Sequence, residues 1–199
     1  MPRFGSTMVL AYHFILSAYG FWLPNDPRGS WSDFVANWEL FRYGGKATQV
    51  EHTESVARVK HDREFRLRAK DRIRHSPVVF TGEQALAISK GFARAAHEAP
   101  YAICACAILP EHCHLIIERH EREVGIISAH LKSHATRQLK KEGLWTREHS
   151  PRGVKYWAVF IDEEMWVSNA INYVRNNPVK EGKPSQNWSF VTTPNGDAL

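Results

Sequence analysis

The chain has 199 residues, 43% hydrophobic and 24% charged, values that exclude disordered and fibrous classes and favour one domain with its own core. Three cysteines, an odd number, argue against a secreted disulfide scaffold. The net charge of +5 is concentrated: residues 58–74 hold eight Lys and Arg against three acidic residues, so this segment accounts for the whole excess and points to a polyanion such as nucleic acid.

Residues 9–18 (VLAYHFILSA) are rich in β-branched and aromatic side chains and read as a buried strand. Pro24, Pro27, Gly29, Gly44 and Gly45 then punctuate an irregular stretch, and residues 58–74 read as a basic helix stopped by Ser76-Pro77. Thr81, with Glu83 and Gln84 in the first turn, caps a second helix that Pro100 ends. Residues 101–109 and 112–119 form two apolar strands around a Pro110-Glu111 turn, a hairpin. A further helix spans 124–142, with Val124, Ile127, Leu131, Ala135 and Leu139 on one stripe and Gly143 closing it. His130, His134, Arg137 and Lys141 form a basic stripe beside it. A fourth strand covers 156–161, and a last helix runs from about 164 to 177 and stops at Pro178. Trp188 and Phe190 are anchors for a polar tail.

The order β, insertion, α, β, β, α, β, α is the split βαβ, ferredoxin-like plan. It predicts an α+β fold, βαββαβ with an antiparallel sheet plus a C-terminal helix. The chain thus reads as one domain over 1–199 with an insertion at about 21–76 after the first strand. No run approaches 18 apolar residues and residues 1–10 lack the order of a signal peptide, so no membrane contact and a cytoplasmic location are expected.

His112 and His114 are two apart on a strand, so their imidazoles share a face while Cys113 turns into the core. Two neutral imidazoles can hold one divalent metal and leave positions for a third side chain, water or a phosphate oxygen. Tyr173 and Asn177, four apart on the last helix, present a phenol and an amide side by side. A tyrosine oxygen can attack a polarised phosphate and form a covalent intermediate.

The stretch Leu109-Pro110-Glu111-His112-Cys113-His114-Leu115-Ile116-Ile117 resembles the signature of single-tyrosine HUH transposases. Asn172-Tyr173-Val174-Arg175-Asn176-Asn177-Pro178-Val179-Lys180 resembles their second signature, in the branch of REP-associated tyrosine transposases within the insertion sequence 200-like superfamily. The ordered pair on a matching βαββαβα pattern carries the resemblance, which spans roughly 9–18 and 81–180. It implies that His112 and His114 bind Mg²⁺ or Mn²⁺. It implies that Asn177, where many relatives have glutamine, is a third ligand. It also implies that Tyr173 attacks DNA to give a 5′-phosphotyrosine and a free 3′-hydroxyl. The central cysteine, the insertion, and Glu181-Gly182-Lys183-Pro184 after the second signature depart from the family pattern.

The implied partner is single-stranded or hairpin DNA, in the nucleoid, bound by a monomer or homodimer. Arg58, Lys60, Arg63, Arg66, Arg68, Arg72, Arg137 and Lys141 are the candidate phosphate contacts, and Trp22, Trp31 or Trp145 the candidate stacking platforms. Two other readings stand beside this one. A non-catalytic hairpin-binding derivative would lack His112, His114 or Tyr173. A water-using metal phosphodiesterase would show extra carboxylates near the histidines; Glu111 and Glu118 are close, and Glu118 shares the face of His114 by parity. Cys104 and Cys106 could face the histidines' side, but without C-x₂-C spacing the expectation is a buried free thiol.

Overall fold

The computed structural model describes residues 8–23 and 63–192. Four strands, β1 (Ala11–Ser17), β2 (Ile103–Ile108), β3 (His112–Glu118) and β4 (Trp157–Ile161), form one antiparallel sheet in the order β2-β3-β1-β4. Helices α2 (Gly82–Glu98) and α3 (Val124–Lys141) connect β1 to β2 and β3 to β4, as the split βαβ plan requires. A short helix α1 (Arg63–Lys70) precedes α2, and α4 (Glu164–Lys180) follows the last strand.

Strand parity sorts the core into two layers. Tyr12, Phe14, Leu16, Cys113, Leu115 and Ile117 face α2 and α3, meeting Ile88, Phe92, Ile127 and Leu131. Ala11, Cys104, Ala105, Ala107 and Ile116 face the other way, against Ile171 and Val174 of α4. Thr81 makes the expected cap: its Oγ1 accepts from the Gln84 N–H (3.2 Å), and the Thr81 N–H donates to Gln84 Oε1 (3.0 Å). Trp188 and Phe190 pack on the larger core. Next to them Gln186 pairs both its amide groups with the backbone of Ile108, each at 2.8 Å, which covers part of the exposed edge of β2.

Four expectations are corrected. The last helix does not stop at Pro178 but runs to Lys180: the missing proline N–H costs one bond, and the Glu181 N–H still closes onto the Asn177 and Pro178 carbonyls. Of the basic segment, only 63–70 is helical among the described residues, and 71–75 turn. Cys104 and Cys106 do not share a face, because a register shift between Ile103 and Ala105 puts Cys104 in the α4 layer and Cys106 in the other. Trp145 is buried in the core, with its Nε1–H donating to the His149 carbonyl (2.8 Å), and is no stacking platform. All three cysteines are free and buried, as expected.

Candidate active site on the α4 face of the sheet

The antiparallel register places Ile15 opposite His114 and Ser17 opposite His112. Residues of odd number on β1 therefore share the histidines' face, and His13 stands diagonally across from His114. His13 Nε2 lies 2.9 Å from His114 Nδ1, a hydrogen bond between two rings. The His112 and His114 rings are 4.8 Å apart, centre to centre, and nearly perpendicular. α4 packs over β2 and β3 and brings Tyr173 edge-on to the same group, 5.7 Å from His114 and 6.0 Å from His13. His112, His114 and Tyr173 thus lie side by side within one chain.

Tyr173 is 45% exposed, so its oxygen is open to a ligand, and Lys180 Nζ stands 5.4 Å from the centre of its ring. Asn177, one turn on, is buried, and its Nδ2 has no hydrogen-bond partner among the described residues. Burial pushes the His13 pKa down to about 4. Burial, then the proximity of His112 and His13, pushes that of His114 down to about 2. Both rings are therefore neutral at pH 7, the form that ligates a metal. The His112 and His114 imidazoles, side by side on one strand, suit a divalent ion, and nitrogen ligands favour a transition metal; the unpartnered Nδ2 of Asn177 is a hydrogen-bond donor, so only the oxygen of that amide could join them.

The other end of the histidine pair opens to a cleft of about 480 Å³ lined by Phe21, Val79, Pro110, Glu111, His112 and Glu181. Phe21 stacks on His112 at 4.9 Å, with Lys70 Nζ 5.6 Å above the Phe21 ring and 3.7 Å from Glu111. Burial, with Glu111 nearby, raises the Glu181 pKa. Glu118 lies at the far end of β3, 3.5 Å from Cys104 Sγ, so it stands apart from His112 despite sharing its parity.

Among the candidate DNA contacts, Arg68, Arg72, Arg137 and Lys141 are placed as follows: Arg68 and Arg72 lie on α1 and the turn after it, and Arg137 and Lys141 on the last two turns of α3. Arg63 and Arg66 also lie on α1. Arg58, Lys60 and Trp31 lie outside the described residues. Trp22 is 40% exposed beside Phe21. Sequence reasoning missed a basic cleft of about 380 Å³ in which Arg137 is joined by Lys132, Lys140 and Arg152. It also missed His13, whose signal is parity: an odd position on β1, visible only once β1 is paired with β3. His134 does not belong to an exposed basic stripe. It is buried, 3.1 Å from Glu98 Oε2. Glu98, His130 and His134 form a group of ligand atoms within 4.8 Å of one another that can hold a metal ion, on the opposite face of the sheet.

The described residues thus form a ferredoxin-like sheet with two histidines on one strand and a half-exposed tyrosine beside them. The likeness to REP-associated tyrosine transposases is borne out in sequence: over 99 residues the chain is 31% identical to a protein of Haemophilus influenzae named "Putative REP-associated tyrosine transposase". The match covers 42% of this chain and 52% of the relative, so the chain spans about half the length of the curated relative it matches. No family model matches. A solved REP-associated tyrosine transposase bound to a REP hairpin aligns over 92% of this chain and 74% of its own, at 13% identity and a TM-score of 0.47. A structure described as a "putative transposase from Deinococcus radiodurans" aligns over 88% and 97%, at 12% and 0.43.

Proposed function

We propose that the chain is a metal-dependent single-stranded DNA endonuclease and strand transferase, a transposase of the REP-associated tyrosine kind acting on hairpin-forming DNA. The observation that carries this reading is the assembly of His112, His114 and Tyr173 on one sheet face, with the Tyr173 phenol open to solvent.

His112, His114 and the Asn177 amide would hold Mg²⁺ or Mn²⁺, which when bound acts as a Lewis acid on a non-bridging phosphate oxygen. His13 is a positioning residue. If His114 ligates through Nε2, its Nδ1–H donates to His13 Nε2, and that bond fixes both tautomer and ring plane. The Tyr173 oxygen attacks phosphorus as the P–O3′ bond breaks. The phenolic proton leaves to solvent, the departing 3′-oxygen takes one up, and the DNA 5′ end remains on Tyr173. Lys180 places a cation beside the ring where negative charge gathers. Strand transfer reverses the attack with a new 3′-hydroxyl, and no ATP is required because the phosphodiester energy stays in the phosphotyrosine.

The basic cleft of Lys132, Arg137 and Lys140, together with Arg68 and Arg72, supplies phosphate contacts away from the reacting centre. No helix among the described residues is long and apolar enough to cross a membrane, and we place the activity in the cytoplasm, on nucleoid DNA. The test is cleavage of a hairpin-bearing single strand with Mg²⁺ or Mn²⁺. His112→Ala and His114→Ala each reduce it by roughly 100-fold or more, the scale of losing a metal's Lewis-acid stabilisation, while the far-ultraviolet spectrum is kept. Full cleavage by the double variant would remove these histidines from the reaction.

A further inference from the structure

On the sheet face opposite Tyr173, the last residue of α2 meets two histidines of α3. His130 and His134 are four apart on a helix and present their rings on one side. His134 Nε2 lies 3.1 Å and His130 Nε2 3.7 Å from Glu98 Oε2. Ligand atoms around a tetrahedral zinc at about 2.0–2.1 Å from the metal stand roughly 3.3 Å from one another. The observed spacings bracket that value, and all three atoms lie within 4.8 Å.

Two further observations point to a cation. His134 Nε2 is fully buried and makes no hydrogen bond, even to the carboxylate oxygen 3.1 Å away, so the ring nitrogen is aimed past that oxygen. His130 Nδ1 lies 3.0 Å from the hydroxyl of buried Tyr101, which also receives the Arg122 Nη1–H at 3.2 Å. With the Arg122 hydrogen on one lone pair, the phenol oxygen can accept Nδ1–H of His130 on the other. That leaves the lone pair of His130 Nε2 facing Glu98, the outer-shell arrangement that supports a ligating histidine.

We propose that Glu98 Oε2, His130 Nε2 and His134 Nε2 form a zinc site that ties the C-terminal end of α2 to the middle of α3. Two imidazoles and a carboxylate are a zinc donor set, and half-exposed Glu98 leaves the fourth position open to solvent. Arg94 and Arg137 act electrostatically on His134 and oppose a dication, which the Glu98 carboxylate offsets. The site is independent of the DNA reaction and lies on other elements.

The experiment titrates the full chain with Zn²⁺ alone, reading stoichiometry and thermal midpoint, and repeats it with Co²⁺ to record the visible spectrum of a tetrahedral ion. His112→Ala with His114→Ala silences the other histidine pair and should retain one equivalent. Adding Glu98→Gln or His130→Gln, both away from the deepest core, should bring that equivalent to none and abolish the zinc-induced rise in midpoint. If the double-alanine background does not fold, the same two variants in the otherwise unchanged chain should each bind one equivalent fewer. Stoichiometry unaffected by both Glu98→Gln and His130→Gln, or a chain that takes up no zinc on the α2–α3 face, overturns the proposal.

Discussion

His114 is buried beside His112, His13 and Tyr173, and its removal from water, then the proximity of His112 and His13, disfavours its protonation. The unfolded chain takes up protons at its imidazoles as the pH falls below about 6.5. The folded chain takes none on His13 until about pH 4. Stability is therefore intact above about 6.5 and falls as the pH drops towards about 4, by up to about 1.4 kcal/mol per pH unit for each such ring. Urea unfolding at about pH 7, 6 and 5 measures this slope. His13→Gln should lower it by up to one proton's worth, and an unchanged slope would mean that His13 is already charged in the fold.

At the scale of elements, the backbone of α3 lies directly against Gly91 of α2. A Cβ built there would lie 2.6 Å from Ala135 Cα and 2.7 Å from its N, backbone atoms that cannot step aside. Alanine at 91 gains about 1 kcal/mol in helix propensity but must push the helices apart, and overpacking of this kind costs about 1–3 kcal/mol. Gly91→Ala should thus leave the protein no more stable and destabilise it by up to about 2 kcal/mol in denaturant unfolding; a clear gain in stability would mean that the helices separate freely. The elements themselves were legible from sequence because apolar periodicity and capping agree: Thr81 and Gln84, the stripe of α3, and the two apolar strands each predict what is seen. What sequence did not disclose depends on pairing. His13 became part of the site only through the β1–β3 register, and the bulge that parts Cys104 from Cys106 has no local signal. Likewise His134 reads as one of a basic stripe until α2 brings Glu98 against it. Pro178 misled because a proline in the last turn removes only one hydrogen bond and need not end a helix.

At the scale of the molecule, the proposed chemistry and the basic cleft lie on opposite faces of the sheet. The α4 face holds the histidines and Tyr173, while Lys132, Arg137 and Lys140 of α3 line the basic cleft. Arg137→Gln with Lys140→Gln should weaken single-strand binding and reduce the slope of log affinity against log salt by about 0.7 for each phosphate that is no longer neutralised. An unaltered slope would remove that cleft from the DNA path. The central claim, however, is that Tyr173 becomes covalently joined to DNA, and it is tested most directly by incubating the protein with hairpin-bearing single-stranded DNA and Mn²⁺, digesting the denatured adduct, and mapping the modified peptide by mass spectrometry. The account predicts a nucleotide attached to Tyr173 through a 5′-phosphate, absent from Tyr173→Phe, whose stability should change by no more than about 1 kcal/mol. Cleavage by Tyr173→Phe, or an adduct mapped to Tyr12 or Tyr156, would contradict it.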